Sequence, residues 1–220
     1  VQTCALPILE SRSDHAPWFS YLSFNGISQA LNTPRAGKPL SGPALAQQYH
    51  KAALQMDQQI AAVLESLRNR GELAKTVVVI TGSHGVAFND KGRLNNGYNR
   101  QQLQVPLIVH WPGTPAQSIS KLTSHADVMA TLMQRLLHVQ TAVADYSQGE
   151  DLFAARRRHA WVTTGDSGNL WVTTPGQTLL LDAGGDYRVY DVDGREIKNQ
   201  KPQLALLLQV LTDEKRFIAD

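Results

Sequence analysis

The sequence predicts an α/β fold, and three observations carry that reading. Residues 76–81 (TVVVIT) and 105–111 (VPLIVHW) are short, continuous runs rich in β-branched and aliphatic residues, as in strands buried within a parallel sheet. A long stretch before them, residues 44–70, carries apolar residues three and four apart, the period of a helix with one buried face. Beyond Asp151 the pattern shifts to short alternating segments separated by Gly, Pro and Asn at hairpin spacing, which predicts a small antiparallel sheet appended to the α/β layer.

Taken in order, residues 18–25 (WFSYLSFN) alternate large and small side chains and predict a strand ending at Asn25-Gly26. Residues 27–43, broken by Pro34, Pro39 and Pro43, predict a loop. The long helix places Leu45, Tyr49, Ala53, Met56, Ile60, Val63, Leu64 and Leu67 on one face, and Gly71 is its expected stop. Ser124 is the expected N-cap of a second helix, with Val128, Met129, Leu132, Met133, Leu136 and Leu137 on its apolar side. Residues 161–164, 170–174, 178–181 and 187–191 predict strands, with turns at Asp166-Ser167-Gly168-Asn169, Pro175-Gly176 and Gly184-Gly185. Pro202 opens a closing helix with Leu204, Leu207, Leu208, Leu211 and Phe217 expected on its buried stripe.

Composition narrows the function classes. The chain has 220 residues, 42% of them hydrophobic and 18% charged, enough for a sizeable core. Lys and Arg number 21 against 19 Asp and Glu, a net charge of +2, which excludes nucleic-acid binding by bulk charge. The longest apolar runs fall far short of the roughly 20 residues of a membrane span. Residues 1–8 (VQTCALPI) resemble the translation of a sequencing adapter and are expected to lie outside the fold. The single cysteine, Cys4, goes with them, so cysteine nucleophiles and disulfides are not expected. Residues 9–155 are the expected α/β part, and residues 156–220 the small sheet with its closing helix.

Chemistry is expected where a polar loop follows a buried strand, because α/β sheets bind ligands at the carboxyl ends of strands. Gly82-Ser83-His84-Gly85 is such a loop. Its order, a Ser-His-Gly after the strand, then VPL, then Thr123-Ser124-His125-Ala126-Asp127, resembles the C-terminal half of the sulfatase and alkaline-phosphatase superfamily. The segments HWPGTPAQ, DVMATLMQRLLHV, YSQGEDLF and KPQLALLLQVLTDEKRFIAD are most similar to the PbgA/YejM family of Gram-negative bacteria. The resemblance implies the distal part of a periplasmic sulfatase-like domain whose family sits in the inner membrane and controls lipopolysaccharide synthesis. It also implies partners that act through an N-terminal region outside this sequence: lipopolysaccharide (lipid A) and membrane-embedded regulators.

Active members of the superfamily have Asp and His in this loop holding a divalent cation, and a Gly-His pair downstream. Here Ser83 stands in place of the carboxylate and Gly97-Tyr98 in place of Gly-His, while His84 is kept. Asn25-Gly26-Ile27 stands where such hydrolases often carry a Pro-His pair. The resemblance thus implies a degenerate site, with magnesium, manganese or zinc as the cofactor if the intact protein binds one. His84 is either a hydrogen-bonded structural residue or a metal ligand. His125 and Asp127 are either a metal pair or the start of a helix, where an acid suits the helix dipole. Arg156, Arg157 and Arg158 are either a solvated turn or a contact for lipid phosphates, which guanidinium groups bind in bidentate fashion. Two functions follow: a regulatory module that keeps a hydrolase fold, or a metal-dependent phosphatase acting on periplasmic lipids. Cardiolipin binding or transport is a further alternative.

Overall fold

A computed structural model describes residues 9, 11–12, 16–32, 42–88, 100–166 and 168–216. The expectations for residues 1–8, Gly97-Tyr98 and Phe217 lie outside the described residues. The chain divides into two compact units, Val1–Pro115 and Ala116–Asp220.

In the first unit, helix α1 (Gly26–Asn32) lies against the long helix α2 (Pro43–Asn69). The expected strand at residues 18–25 is not formed, and the expected loop after it begins with α1 instead. Phe19 and Tyr21 are exposed, so their alternation meets no sheet that would fix it. Segment 26–32 gains helix by packing on α2, where Gln48 Nε2 donates to the carbonyl of Ala30. Helix α2 starts with Pro43 in its first turn, where a missing N–H costs nothing. It buries Leu45, Ala52, Val63 and Leu67, the predicted face shifted by one residue at its middle. The stop is as expected: Gly71 has φ +69°, its N–H donates to Arg68 O at 2.9 Å, and Glu72 N–H donates to Leu67 O at 2.9 Å. That paired closure needs a left-handed residue at position 71.

Strands β1 (Val78–Thr81) and β2 (Leu107–His110) follow, with the four-residue helix α3 (Arg100–Leu103) between them. The expected parallel arrangement is corrected. The two strands pair antiparallel, Val78 opposite His110 and Thr81 opposite Leu107. In β2 half-buried Leu107 and Val109 alternate with exposed Ile108 and His110, so one face is open, as antiparallel sheets allow. An unbroken apolar run does not distinguish this from a doubly covered strand.

The second unit opens with helix α4 (His125–Thr131), which continues as one π-helical turn through Leu132–Leu136. Its buried residues are Asp127, Ala130 and Thr131, not the predicted Met129, Leu136 and Leu137, which are exposed. The wider turn rotates the later positions off the helical stripe. The helix ends at His138, which adopts φ 54°. A side chain in that conformation costs about 1 kcal/mol, so His138→Gly is expected to raise unfolding stability by roughly 0.5–1 kcal/mol. A lower midpoint in urea would show that the imidazole contributes more than the strain it causes.

Four strands form an antiparallel meander: β3 (Val162–Gly165), β4 (Asn169–Thr173), β5 (Thr178–Asp182) and β6 (Tyr187–Tyr190), in sequential order. Each predicted strand is present to within two residues. The turns form where Gly and Asp predicted them: Asp182 Oδ1 accepts the N–H groups of Gly184 and Asp186 at 2.9 Å, and Gly185 has φ +86°. Helix α5 (Leu204–Lys215) closes this sheet. The core comprises Trp161, Val172, Leu179, Val189 and Val210, with Leu170, Ile197, Leu206 and Leu207 packed around it. The predicted stripe on α5 is therefore corrected in phase. Leu204 and Leu208 are 69% and 66% exposed, and Val210 takes the buried position. In a run as leucine-rich as LALLL, periodicity does not choose between faces.

Candidate functional site

The strand-end loop is fixed on both sides. Thr81 Oγ1 donates to Pro106 O at 2.9 Å, and Gly85 N–H donates to Gln102 O at 2.7 Å. A Cβ at Gly85 would lie 1.8 Å from the carbonyl oxygen of Gln101, so only glycine allows this approach. Between these anchors His84 is exposed, and its Nδ1 lies 2.8 Å from Gly85 O. A carbonyl only accepts, so Nδ1 is the donor, and in the neutral ring the lone pair lies on Nε2. That is the tautomer a ligating or basic imidazole needs. The neighbouring Ser83 is exposed and offers a neutral hydroxyl. Among the described residues no three His, Cys, Asp or Glu side chains converge in a metal-binding group. One imidazole and one hydroxyl are too few donors for a dication, which takes several charged or imidazole ligands. The residues described around His84 therefore do not by themselves fit the cation the superfamily fold implies.

Other histidines have local tasks. His110 Nε2 meets Leu73 O at 3.1 Å, and His50 lies edge-on to Tyr49. His125 is exposed at the start of α4.

The second unit draws together residues that sequence spacing left apart. Asp127 is the third residue of α4 and forms a capping box with Ser124, accepting the Ser124 N–H at 2.7 Å. Its other oxygen accepts Glu150 N–H at 2.7 Å. Arg157 Nη1 donates to Asp127 Oδ2 at 2.6 Å, and Arg157 Nη2 lies 3.7 Å from Glu150 Oε1. The side chains of Arg157 and Asp127 are only 8% and 1% exposed. Asp127 thus binds a cation as a helix cap, and the cation is arginine. Glu150 also accepts the N–H groups of Arg158 and His159. Burial works against its charge, but those two N–H groups and the Arg157 charge together hold its carboxyl below the usual glutamate range. Burial likewise opposes Asp151, and the fork of Arg135, whose closest contact is 2.6 Å, with the N–H of Phe153 holds that carboxyl below the usual range.

Both carboxylates therefore contribute stability that is complete above their unfolded values, about pH 4, and is lost as pH falls through their lower folded values. The expected result is a urea midpoint that drops as pH falls below about 4, with a shallower drop in Glu150→Gln/Asp151→Asn. An equal drop in the double variant would place the acid sensitivity elsewhere.

The arginine run is split by this packing. Arg156 and Arg158 are exposed, whereas Arg157 is enclosed by its carboxylates. Arg158 Nε donates to His159 Nε2 at 2.9 Å, and His159 Nε2 lies 3.4 Å from Asp213 on α5. The S-x-x-D cap was legible in the sequence, but its distant partners Glu150 and Arg157 carried no local signal.

Residues 5–139 match the sulfatase family. The chain belongs to that family. It is 49% identical over 204 residues to the inner membrane protein YejM of Salmonella typhimurium, which covers 92% of this chain and 33% of that protein. The resemblance to the PbgA/YejM family is borne out. A steryl-sulfatase of Rattus norvegicus is 28% identical over 159 residues, 64% of this chain and 26% of the relative. Among solved structures, a phosphonate monoester hydrolase of Agrobacterium radiobacter superposes with a TM-score of 0.63 at 17% identity, covering 80% of this chain and 42% of that one. The chain spans about a third of the length of the YejM relatives it matches. These likenesses bear out the sulfatase-like α/β fold with its small antiparallel sheets and C-terminal helix. No helix among the described residues is long and apolar enough to cross a membrane.

Proposed function

We propose that this chain is the periplasmic sulfatase-like module of an inner-membrane regulator of lipopolysaccharide synthesis, and that its metal site is degenerate. The observation that carries the reading is the Gly82-Ser83-His84-Gly85 loop, where a hydroxyl stands beside the retained imidazole and no carboxylate does. The 49% identity to an inner membrane protein over nearly the whole chain supports the inner-membrane part of this reading. Contact with lipid phosphates, in this reading, falls to the exposed Arg156 and Arg158, while Arg157 holds the segment in place.

Complementation by the intact protein carrying His84→Ala is the test, paired with metal analysis of the purified protein. Retained lipopolysaccharide control and no stoichiometric metal are expected. The alternative, a metal-dependent phosphatase acting on periplasmic lipids, draws its support from the exposed His84, whose Nδ1 is held by Gly85 O so that a neutral ring presents Nε2 as the ligating nitrogen. Stoichiometric metal that disappears in His84→Ala, together with lost phosphatase activity and lost complementation, would establish it instead.

A further inference from the structure

One ring nitrogen of the second unit faces both a donor and an acceptor. His159 Nε2 lies 2.9 Å from Arg158 Nε and 3.4 Å from Asp213 Oδ2 on α5. A guanidinium N–H only donates and a carboxylate only accepts, so the nitrogen cannot serve both at once. Without a proton, Nε2 accepts from Arg158 and shows Asp213 nothing but a lone pair. With a proton, it donates to Asp213, and the imidazolium repels the Arg158 guanidinium. The two contacts therefore belong to opposite protonation states of one side chain.

The surroundings hold the ring where that exchange of partners is open to it. His159 N–H donates to Glu150 Oε1 at 3.0 Å, and its carbonyl accepts from Arg157 Nε at 3.2 Å. Arg157 is itself fixed by Asp127. The imidazole packs against Trp161 with ring centroids 4.9 Å apart, which limits its tilt. The His159 side chain is 24% exposed, enough to trade protons with solvent. Charged groups reach the ring from three sides of this unit. Arg157 and Arg158 stand on its own segment, Glu150 comes from the segment before it, and α5 brings Asp213 with Arg216, whose Nε lies 3.5 Å from Asp213 Oδ1. The carboxylates favour the imidazolium and the arginines favour the neutral ring. Imidazole is the side chain that ordinarily changes charge between about pH 5 and 8. We propose that His159 is a proton-driven gate on Arg158: the neutral ring holds the guanidinium, and the protonated ring donates to Asp213 and releases Arg158 beside the exposed Arg156. The backbone stays anchored through Glu150 and Arg157, so the exchange is confined to side chains and presents the Arg158 charge only in acid. The proposal stands independently of what Arg158 meets once released, and so of the lipopolysaccharide reading.

The test is a titration of the whole ¹³C,¹⁵N-labelled chain from about pH 8 to about pH 5, followed by NMR at the His159 ring nitrogens, the Arg158 guanidinium carbon and the Asp213 carboxyl carbon. All three are expected to move together with one midpoint, and Nε2 should pass from the shift of a lone-pair nitrogen to that of a protonated one. His159→Phe keeps an aromatic ring beside Trp161 and should leave the Arg158 and Asp213 signals still over the same range. If that variant does not fold, His159→Gln replaces it, because an amide can hold Arg158 but cannot change charge. Arg158→Leu removes the gated group and should leave His159 and Asp213 moving together. A His159 ring that keeps one charge throughout, or an Arg158 or Asp213 signal that stays still while the ring titrates, overturns the proposal. Movement of the Arg158 signal that persists without His159 overturns it as well.

Discussion

Arg157→Leu is expected to lower unfolding stability by about 3–5 kcal/mol, the usual cost of leaving a buried carboxylate without its partner. Asp127 would keep its two backbone N–H donors, from Ser124 and Glu150, but lose the guanidinium at 2.6 Å. Glu150 would lose its nearest cation as well. Arg156→Ala and Arg158→Ala, both at exposed positions, are expected to cost under about 1 kcal/mol. Urea unfolding of the three variants measures this directly. Similar losses in all three would mean that the run acts as one charged face after all. The comparison also supplies the right reagents for the lipid question, because only the two outer arginines can be removed without disturbing the fold.

Gly149→Ala is expected to be comparably severe. The added Cβ would lie 2.1 Å from the carbonyl oxygen of Ala126 and 2.6 Å from the amide nitrogen of Asp127. Both are backbone atoms at the start of α4, so no rotamer change relieves the overlap. Either α4 or the 147–151 segment must move, and with it the bond from Glu150 N–H to Asp127. A loss of about 3 kcal/mol is expected, read as a lower urea midpoint. A wild-type midpoint would mean that the segment leaves room for a methyl group beside α4.

Legibility in the sequence followed the range of the interaction. The stop of α2 at Gly71, the cap at Ser124 and the Asp-Gly turns of the meander depend on residues a few positions apart, and each was readable. Strand direction was not. TVVVIT looks the same whether its neighbour runs parallel or antiparallel, because the choice rests on what covers each face. The phase of α5 was hidden by an excess of leucine. At the His84 loop, the residue types were plain and carried the family resemblance, whereas the donor role of Nδ1 is set by the placement of the Gly85 carbonyl, which no residue pattern encodes. The Asp127–Glu150–Arg157 cluster spans 30 residues of chain, and no spacing rule connects its members.

The sequential strand order β3-β4-β5-β6 bears on how fast this unit forms. Every pairing joins neighbours in the chain, so contact order is low and each hairpin closes only a short loop. Strand pairing should therefore be quick, and the slower event is the arrival of Val210 from α5 against Val172 and Val189. Substitutions in the hairpin turns should then act mainly on the refolding rate, and Val210→Ala mainly on the unfolding rate.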